Sequence, residues 1–428
     1  MSWRVVLGGL GSSQITGLAT LDGDILAIGS FEGEALLGDQ RWVSSGEDDV
    51  LVARLAPDSR VRWVRHWGGT GNDWGQAIEA GADGSLLIMG SLTGTVDMAG
   101  PRPGEGGSDC FVAKLKGADG QVQWARRFGG TGESDCRSAA FDALGDVFVT
   151  GRFNGELDVG LGLPVTFGGA NGLFLAKLSG QDGSPQWAPV FGGIGDSIGR
   201  DVAVTPSGTV LLAGHFSSGV EPSAGAVDFG AGLLTSAGDS DAFLAAFSGD
   251  GKCLWSRAFG GPNFDMAKSV VPAPDGTLFL TGLFQGEVAH QPGELLFAKG
   301  GFEGFVSRLS ARGEELWRHR YPTLSSGHAL ALTPSGDVAM VGHFTSTLEL
   351  GADRKLQSAG KNDVAVVLFS ADGEVRWALR DGGEGQDYGY AVTAVADGVA
   401  TGGMLAETPG GDAHQPRSHG FISWHPLR

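Results

Sequence analysis

The sequence predicts an all-β fold, a seven-bladed β-propeller with four antiparallel strands per blade, and three observations carry the prediction. Trp3, Trp63, Trp124, Trp187, Trp255, Trp317 and Trp377 recur at intervals of about sixty residues. Nearly every interval repeats one text: W-x-x-x-F-G-G, a loop bearing Asp or Ser, an apolar run ending in D-G, x-L-x-x-G-x-F, then D-x-F-x-A-K-L. Helical periodicity is missing throughout. Self-similarity at a fixed period marks a propeller or a solenoid and outranks any single-residue clue.

The unit beginning at Trp63 shows how each blade is built. Trp63–Gly69 reads as a strand, Ala77–Ala82 is an apolar run of small residues closed by Asp83-Gly84, and Ser85–Gly90 alternates as a strand. Asp109–Leu115 is the fourth element, followed by Asp119-Gly120 and the next Trp. D-G pairs between apolar runs are strong hairpin signals. The runs of the Ala77–Ala82 type (Ala139–Leu144, Val202–Pro206, Leu330–Pro334, Val392–Ala396) carry the smallest side chains, which suits a crowded innermost strand. The Trp-led strand is then outermost, with Trp filling the gap between blades. Trp3–Gly9 is an outermost strand with no inner three before it. Ala391–Ala396, Val399–Met404 and Gly420–Trp424 are inner three with no outermost strand after them. The N-terminal strand is therefore expected to complete the last blade, giving one domain over residues 1–428.

Composition fits this reading. Gly is abundant, 75 of 428 residues, and falls at fixed repeat positions where turns and bulges are needed. A net charge of −19 argues against nucleic acid, which demands a concentrated basic surface. No apolar stretch reaches eighteen residues, so no membrane span is expected. Met-Ser-Trp runs straight into the first strand without a leader pattern. The chain is expected in the cytoplasm if that start is native, and exported or at the cell surface if a leader has been removed. A monomer is expected. Cys110, Cys136 and Cys253 sit in three units at three repeat positions, an odd and scattered set that reads as free thiols.

The text resembles the bacterial β-propeller repeat family. The resemblance rests on Asp109-Cys110-Phe111-Val112-Ala113-Lys114-Leu115, Gly129-Gly130-Thr131-Gly132 and Asp146-Val147-Phe148-Val149-Thr150-Gly151. It covers nearly the whole chain and implies a seven-bladed propeller of a kind often exported or surface-borne. It carries no catalytic motif.

Several motifs imitate chemistry. Gly195-Asp196-Ser197-Ile198-Gly199 fits the nucleophile elbow G-x-S-x-G, which needs a strand-to-helix turn beside a His and an acid. Ser197 instead occupies the repeat position of Ser13, Asp73, Ser134, Asp265, Ser325 and Asp387, where a short oxygen hydrogen-bonds its own loop. The G-G-x-G loops lack the following helix that phosphate binding uses. No Cys/His quartet suggests zinc, and no metal or cofactor is expected beyond a partial Ca²⁺ site at Asp239 and Asp241 or at Asp22 and Asp24.

Functional information lies where the seven units disagree. The residue just before each inner strand reads Thr16, Gln76, Arg137, Arg200, Lys268, His328, Tyr390. Three of the seven are Lys or Arg, whereas 30 such residues in 428 predict about half of one. A second ring, just past the Gly that ends the second strand, reads Ser30, Ser91, Arg152, His215, Leu283, His343, Gly403. Strand lengths set Arg152 beside Arg137, His215 beside Arg200 and His343 beside His328. A cationic crescent across blades three to six is expected, flanked by Trp74, Tyr388 and Tyr390. The bland alternative pairs these residues with neighbouring acids such as Asp135 and Asp201.

Three function classes follow. The first is a binding propeller for an anionic small molecule, glycan or peptide carboxylate held by Arg137, Arg152, Arg200, Lys268, Gln76, Trp74 and Tyr388. The second is an enzyme of lyase or cyclase type, in which His215, His328, His343 or Tyr390 moves protons on an acidic substrate. The third is a structural or adhesion scaffold using the acidic exterior and the long loops 92–108, 217–240 and 285–304.

Overall fold

The computed structural model describes residues 2–98, 101–102, 107–217, 226–289, 295–351, 353–406 and 417–427. Among the described residues the secondary structure is strand and turn, with no helix. The fold is a seven-bladed β-propeller of four-stranded antiparallel blades. The first blade is Ser13–Leu21, Asp24–Leu37, Gln40–Leu55 and Val61–Trp67. The second is Trp74–Ala80, Ser85–Thr93, Ser108–Lys116 and Val122–Phe128. The third is Ser134–Phe141, Val147–Leu157 and Val165–Leu178, with an outer strand in two pieces, Pro185–Trp187 and Val190–Phe191. The break coincides with Pro189, which has no ladder N–H. The fourth is Ser197–Val204, Val210–Phe216, Asp241–Phe247 and Cys253–Phe259; the fifth is Met266–Pro272, Leu278–Ala289, Leu295–Leu309 and Glu315–Tyr321. The sixth is Leu324–Leu332, Val338–Phe344, Asp363–Phe369 and Val375–Asp381.

The seventh blade mixes both chain ends, as the repeat register requires. Tyr388–Val395, Gly398–Ala406 and Ser418–Pro426 come from the C-terminal end, and Trp3–Leu7 supplies the fourth strand, pairing Trp3 with Trp424 and Leu7 with Gly420. By contact the chain falls into two compact units. One comprises Met1–Pro103, Lys114–Gln123 and His328–Arg428, the other Gly104–Ala113 and Trp124–Gly327.

The tryptophans do what their position requires. Trp63 Nε1 donates to Gly117 O at 3.0 Å, Trp124 Nε1 to Gly180 O at 3.2 Å and Trp3 Nε1 to Pro57 O at 2.8 Å. Each donor lies on the outer strand of one blade and each acceptor in the hairpin of the next, so an apolar ring fills the gap and its one polar atom is satisfied. The repeated Asp/Ser position is likewise structural. Asp73 accepts from Gly69 N and Thr93 N; Asp265 from Gly261 N and Gln285 N; Asp387 from Gly383 N and Ala406 N. Each carboxylate clamps the preceding loop to the second strand of its own blade. Ser134 does similar work, donating to Phe128 O and accepting from Cys110 N.

Three free thiols are not what the fold holds. Cys110 and Cys136 form a disulfide, with Cα atoms 4.8 Å apart. Distant positions in the repeat text become neighbours because the third strand of the second blade runs beside the inner strand of the third. Cys253 is free and buried, and burial pushes its thiol up to about 11. The long loops are also more ordered than their sequence suggests. Loop 217–240 contains the hairpin Ala226–Asp228 and Leu233–Thr235, and 285–304 prolongs the central hairpin of the fifth blade. Within the three long loops, residues 99–100, 103–106, 218–225 and 290–294 lie outside the described residues.

Candidate functional site

The variable residues do not precede the inner strands; they lie inside them. Each inner strand begins three to six residues earlier than the apolar run, and in six of the blades the ladder slips by one at the variable residue. In the third blade Cys136 pairs Gly151 and Ser138 pairs Thr150, leaving Arg137 unpaired between them. Arg200 stands in the same way between Gly199 and Asp201, and Lys268 between Ala267 and Ser269. Thr16, Gln76 and Tyr390 hold the equivalent place in their blades. A β-bulge of this kind frees one residue from pairing and re-aims its side chain. The repeated Gly of the second strand is what makes room for it. A Cβ on Gly151 would lie 1.9 Å from Asp135 O, and one on Gly214 2.0 Å from Ile198 O.

In the unit that holds blades three to five, the bulges gather basic residues. Asp135, buried, accepts Arg137 Nε at 2.6 Å and Nη2 at 2.9 Å, and also Arg152 Nε at 2.7 Å. Arg152 Nη1 stands 3.5 Å from Asn171 Oδ1, Asn171 Nδ2 donates to Asp196 Oδ1 at 2.6 Å, and His215 Nε2 lies 3.6 Å from Asp196 Oδ2. The nearby His215 first, then Asn171 and Arg152, hold the Asp196 carboxyl below its ordinary value against the opposing effect of burial. Arg200 is different: its Nε is buried and has no hydrogen-bond partner. Burial first, then repulsion from Arg137 and Arg152, lowers its guanidinium to about 10, against the opposing pull of Asp135 and Asp196. Burial and Arg200 together bring Lys268 down to about 7. Asp135 and Asp196 thus act on Arg152 and Arg200, with Glu133 adding to the pull on Arg152, and Lys268 feels the charge of Arg200.

Asp201 does not neutralise this group, contrary to the bland expectation. It accepts Ser138 Oγ at 2.7 Å and Val270 N at 2.8 Å, tying three successive inner strands together, and burial raises it to about 6. His215 is 2 % exposed and lies against Phe264, ring centroids 5.5 Å apart. Burial lowers its pKa. It stands beside Asp196 in a buried position and not on an accessible surface.

The other unit gathers aromatic residues. His328 Nε2 and His343 Nδ1 are 3.2 Å apart. His328 meets Tyr390 edge-on at 5.4 Å and His343 meets Tyr388 edge-on at 4.7 Å. Tyr388 and Tyr390 stack at 6.0 Å with their planes 8° apart, and Asn362 Nδ2 donates to the Tyr388 hydroxyl at 3.1 Å. Burial, with Tyr388 beside it, raises Tyr390 to about 12, so it stays a neutral donor. Trp74 and Gln76 lie half-buried on the inner strand of the second blade, with Gln76 at the bulge.

The pairings expected between the two rings therefore form, with one slip. Met404, not Gly403, is the true member of the second ring, because it pairs Tyr388 as Arg152 pairs Asp135; the adjacent glycines Gly402 and Gly403 obscure the count. The nucleophile elbow has no helix to stand on, and Ser197 is buried in a strand. Asp24 is engaged by Arg54 and Arg62, and Asp241 by Ser236 and the Ala237 amide. Among the described residues no three His, Cys, Asp or Glu side chains converge as metal ligands. No helix among them is long and apolar enough to cross a membrane.

No protein-family model matches the chain. It is similar to the regulatory protein FlaEY of Caulobacter vibrioides, 25% identical over 173 residues, which are 39% of this chain and 18% of that protein. The chain thus spans less than a fifth of this curated relative. Among solved structures, the WD40 propeller domain of Doa1 is similar over 99% of this chain and 97% of its own, at 12% identity and a TM-score of 0.48. A europium-containing methanol dehydrogenase is similar over 99% and 92%, at 10% identity and a TM-score of 0.47. The quinohemoprotein alcohol dehydrogenase ADHIIG of Pseudomonas putida HK5 is similar over 99% and 75%, at 11% identity and a TM-score of 0.46. Likenesses this distant assign no residue of this chain a role.

Proposed function

We propose that this protein is a binding propeller that holds a small carboxylate-bearing anion, free or at the end of a peptide, on the basic bulge residues of blades three to five. One observation carries the reading: Arg200 Nε is buried without a hydrogen-bond partner in a group already crowded with cations. A buried donor left unmade costs about 1–3 kcal/mol, more when charged, and the cheapest remedy is an acceptor from solution. A guanidinium presents a planar fork that matches a carboxylate. Asp135 fixes Arg137 and Arg152 and so holds this basic wall in place before any ligand arrives.

A thermal-shift screen of wild type and the Arg137→Ala/Arg200→Ala variant against mono- and dicarboxylates, sugar acids and phosphate tests this. A carboxylate at about 100 Kd contributes roughly 2.7 kcal/mol to wild type, and the double variant loses that response. Identical profiles for both proteins across the screen would refute the reading.

A further inference from the structure

We propose that Lys268 is a nucleophilic amine that condenses reversibly with the carbonyl of a 2-oxo acid whose carboxylate is held by Arg200. The inference deepens the anion-binding reading and rests on it. Its geometry comes from the bulges. Arg200 and Lys268 hold the same unpaired place on the inner strands of neighbouring blades, and Asp201 ties those two strands together through the Val270 amide at 2.8 Å. The Arg200 guanidinium is near enough to the Lys268 amine for its charge to disfavour the ammonium form. A ligand whose carboxylate sits on Arg200 therefore brings the atom next to that carboxylate toward Lys268, and in a 2-oxo acid that atom is the electrophilic carbonyl carbon.

The amine is in the right state to attack. Burial first, and the neighbouring Arg200 cation second, disfavour the ammonium form, and together they set Lys268 at about 7. An unperturbed lysine, near 10.4, is neutral in roughly one molecule in a few thousand at pH 7. In the condensation the nitrogen lone pair forms the C–N bond while the carbonyl π bond opens onto oxygen. A proton passes from nitrogen to that oxygen, and water leaves to give the imine. No oxidant or reductant is consumed, and hydrolysis by one water reverses the step. The protonated imine is a cation beside a carboxylate, so the arginine group holds the acid end while the electron-poor carbon forms at Lys268.

Wild type is incubated with pyruvate and cyanoborohydride, which reduces the imine to a stable secondary amine, and the labelled lysines are mapped by peptide mass spectrometry. Lactate, which has the carboxylate but no carbonyl, serves as the competitor, and its binding is measured separately by calorimetry. Expected are labelling of Lys268 at least tenfold faster than of Lys114, Lys116 or Lys252, a rate that rises with pH through about 7, and suppression by lactate. Lys268→Arg, which keeps the charge but cannot form the imine, loses the label; Arg200→Met, with Lys268 intact, loses both the label and lactate binding. Uniform labelling of all lysines, or none, while lactate still binds would overturn the inference and leave the anion reading intact. If lactate does not bind and Lys268 is not labelled, both fall.

Discussion

At the bulge of the first blade Thr16 Oγ1 lies 2.7 Å from Gly75 O, to which it donates, and 3.2 Å from Ile28 O. At the bulge of the fourth blade the same backbone device presents Arg200, whose buried Nε finds no partner. The first position is closed by the protein itself; the second is left open. The Tyr390 bulge is closed in another way, its ring stacked on Tyr388 and met edge-on by His328. The backbone machinery of the bulge, with a glycine opposite it, is therefore a constant of the fold, whereas the chemistry it displays differs from blade to blade. Basic bulge residues fall in one compact unit and uncharged or aromatic ones in the other.

The largest perturbation available strikes the aromatic unit. Deleting residues 1–9 strips Trp3–Leu7 from the blade that carries Tyr388 and Tyr390, removing Leu7 from the core and exposing the faces beneath Trp3 and Val5. A loss on the order of 5 kcal/mol is expected at 1.5–3 kcal/mol per buried apolar side chain, read by denaturant unfolding. Unchanged stability would show that the strand does not hold the blade closed. Next in size is Asp135→Ala in the basic unit, which leaves Arg137 and Arg152 without their shared acceptor. Breaking a buried pair from one side costs about 3 kcal/mol, and a carboxylate ligand should recover part of it.

Smaller effects separate basic from uncharged bulges by sign. Thr16→Val should cost about 1 kcal/mol for the lost hydrogen bond without altering anion affinity. Lys268→Met should instead raise stability when no anion is present, most clearly at neutral pH and below. The sign follows from proton binding: near pH 8–10 the unfolded chain keeps the Lys268 proton that the folded chain has released at about 7. Wild-type stability therefore gains with rising pH across that window, and Lys268→Met removes this slope. If the variant and wild type share one pH profile, the lysine is not crowded as described. The smallest effect is that of salt, which should weaken anion binding modestly because the arginines are only partly exposed.

The repeat made the blades, the closure by Trp3–Leu7 and the inter-blade role of the tryptophans legible from sequence, because each depends on period and pattern. The pairing of Arg152 with Arg137, and of His343 with His328, was also legible, since strand register follows from equal repeat lengths. The bulge was not. A one-residue slip leaves no local signature, and its one trace is the glycine of the second strand, Gly151 or Gly214, which reads equally well as a turn residue. The Cys110–Cys136 bond was hidden because its partners sit at unlike repeat positions that meet across blades. The burial of His215 and the diversion of Asp201 to Ser138 and Val270 depend on side-chain direction at the slip, which spacing does not report.

The most direct test is calorimetric titration of lactate into wild type, Arg200→Met and Tyr390→Phe under low salt. Saturable binding by wild type, weakened at least tenfold in Arg200→Met (about 1.4 kcal/mol) and unchanged in Tyr390→Phe, is the expected result. Equal affinity in wild type and Arg200→Met would contradict the account.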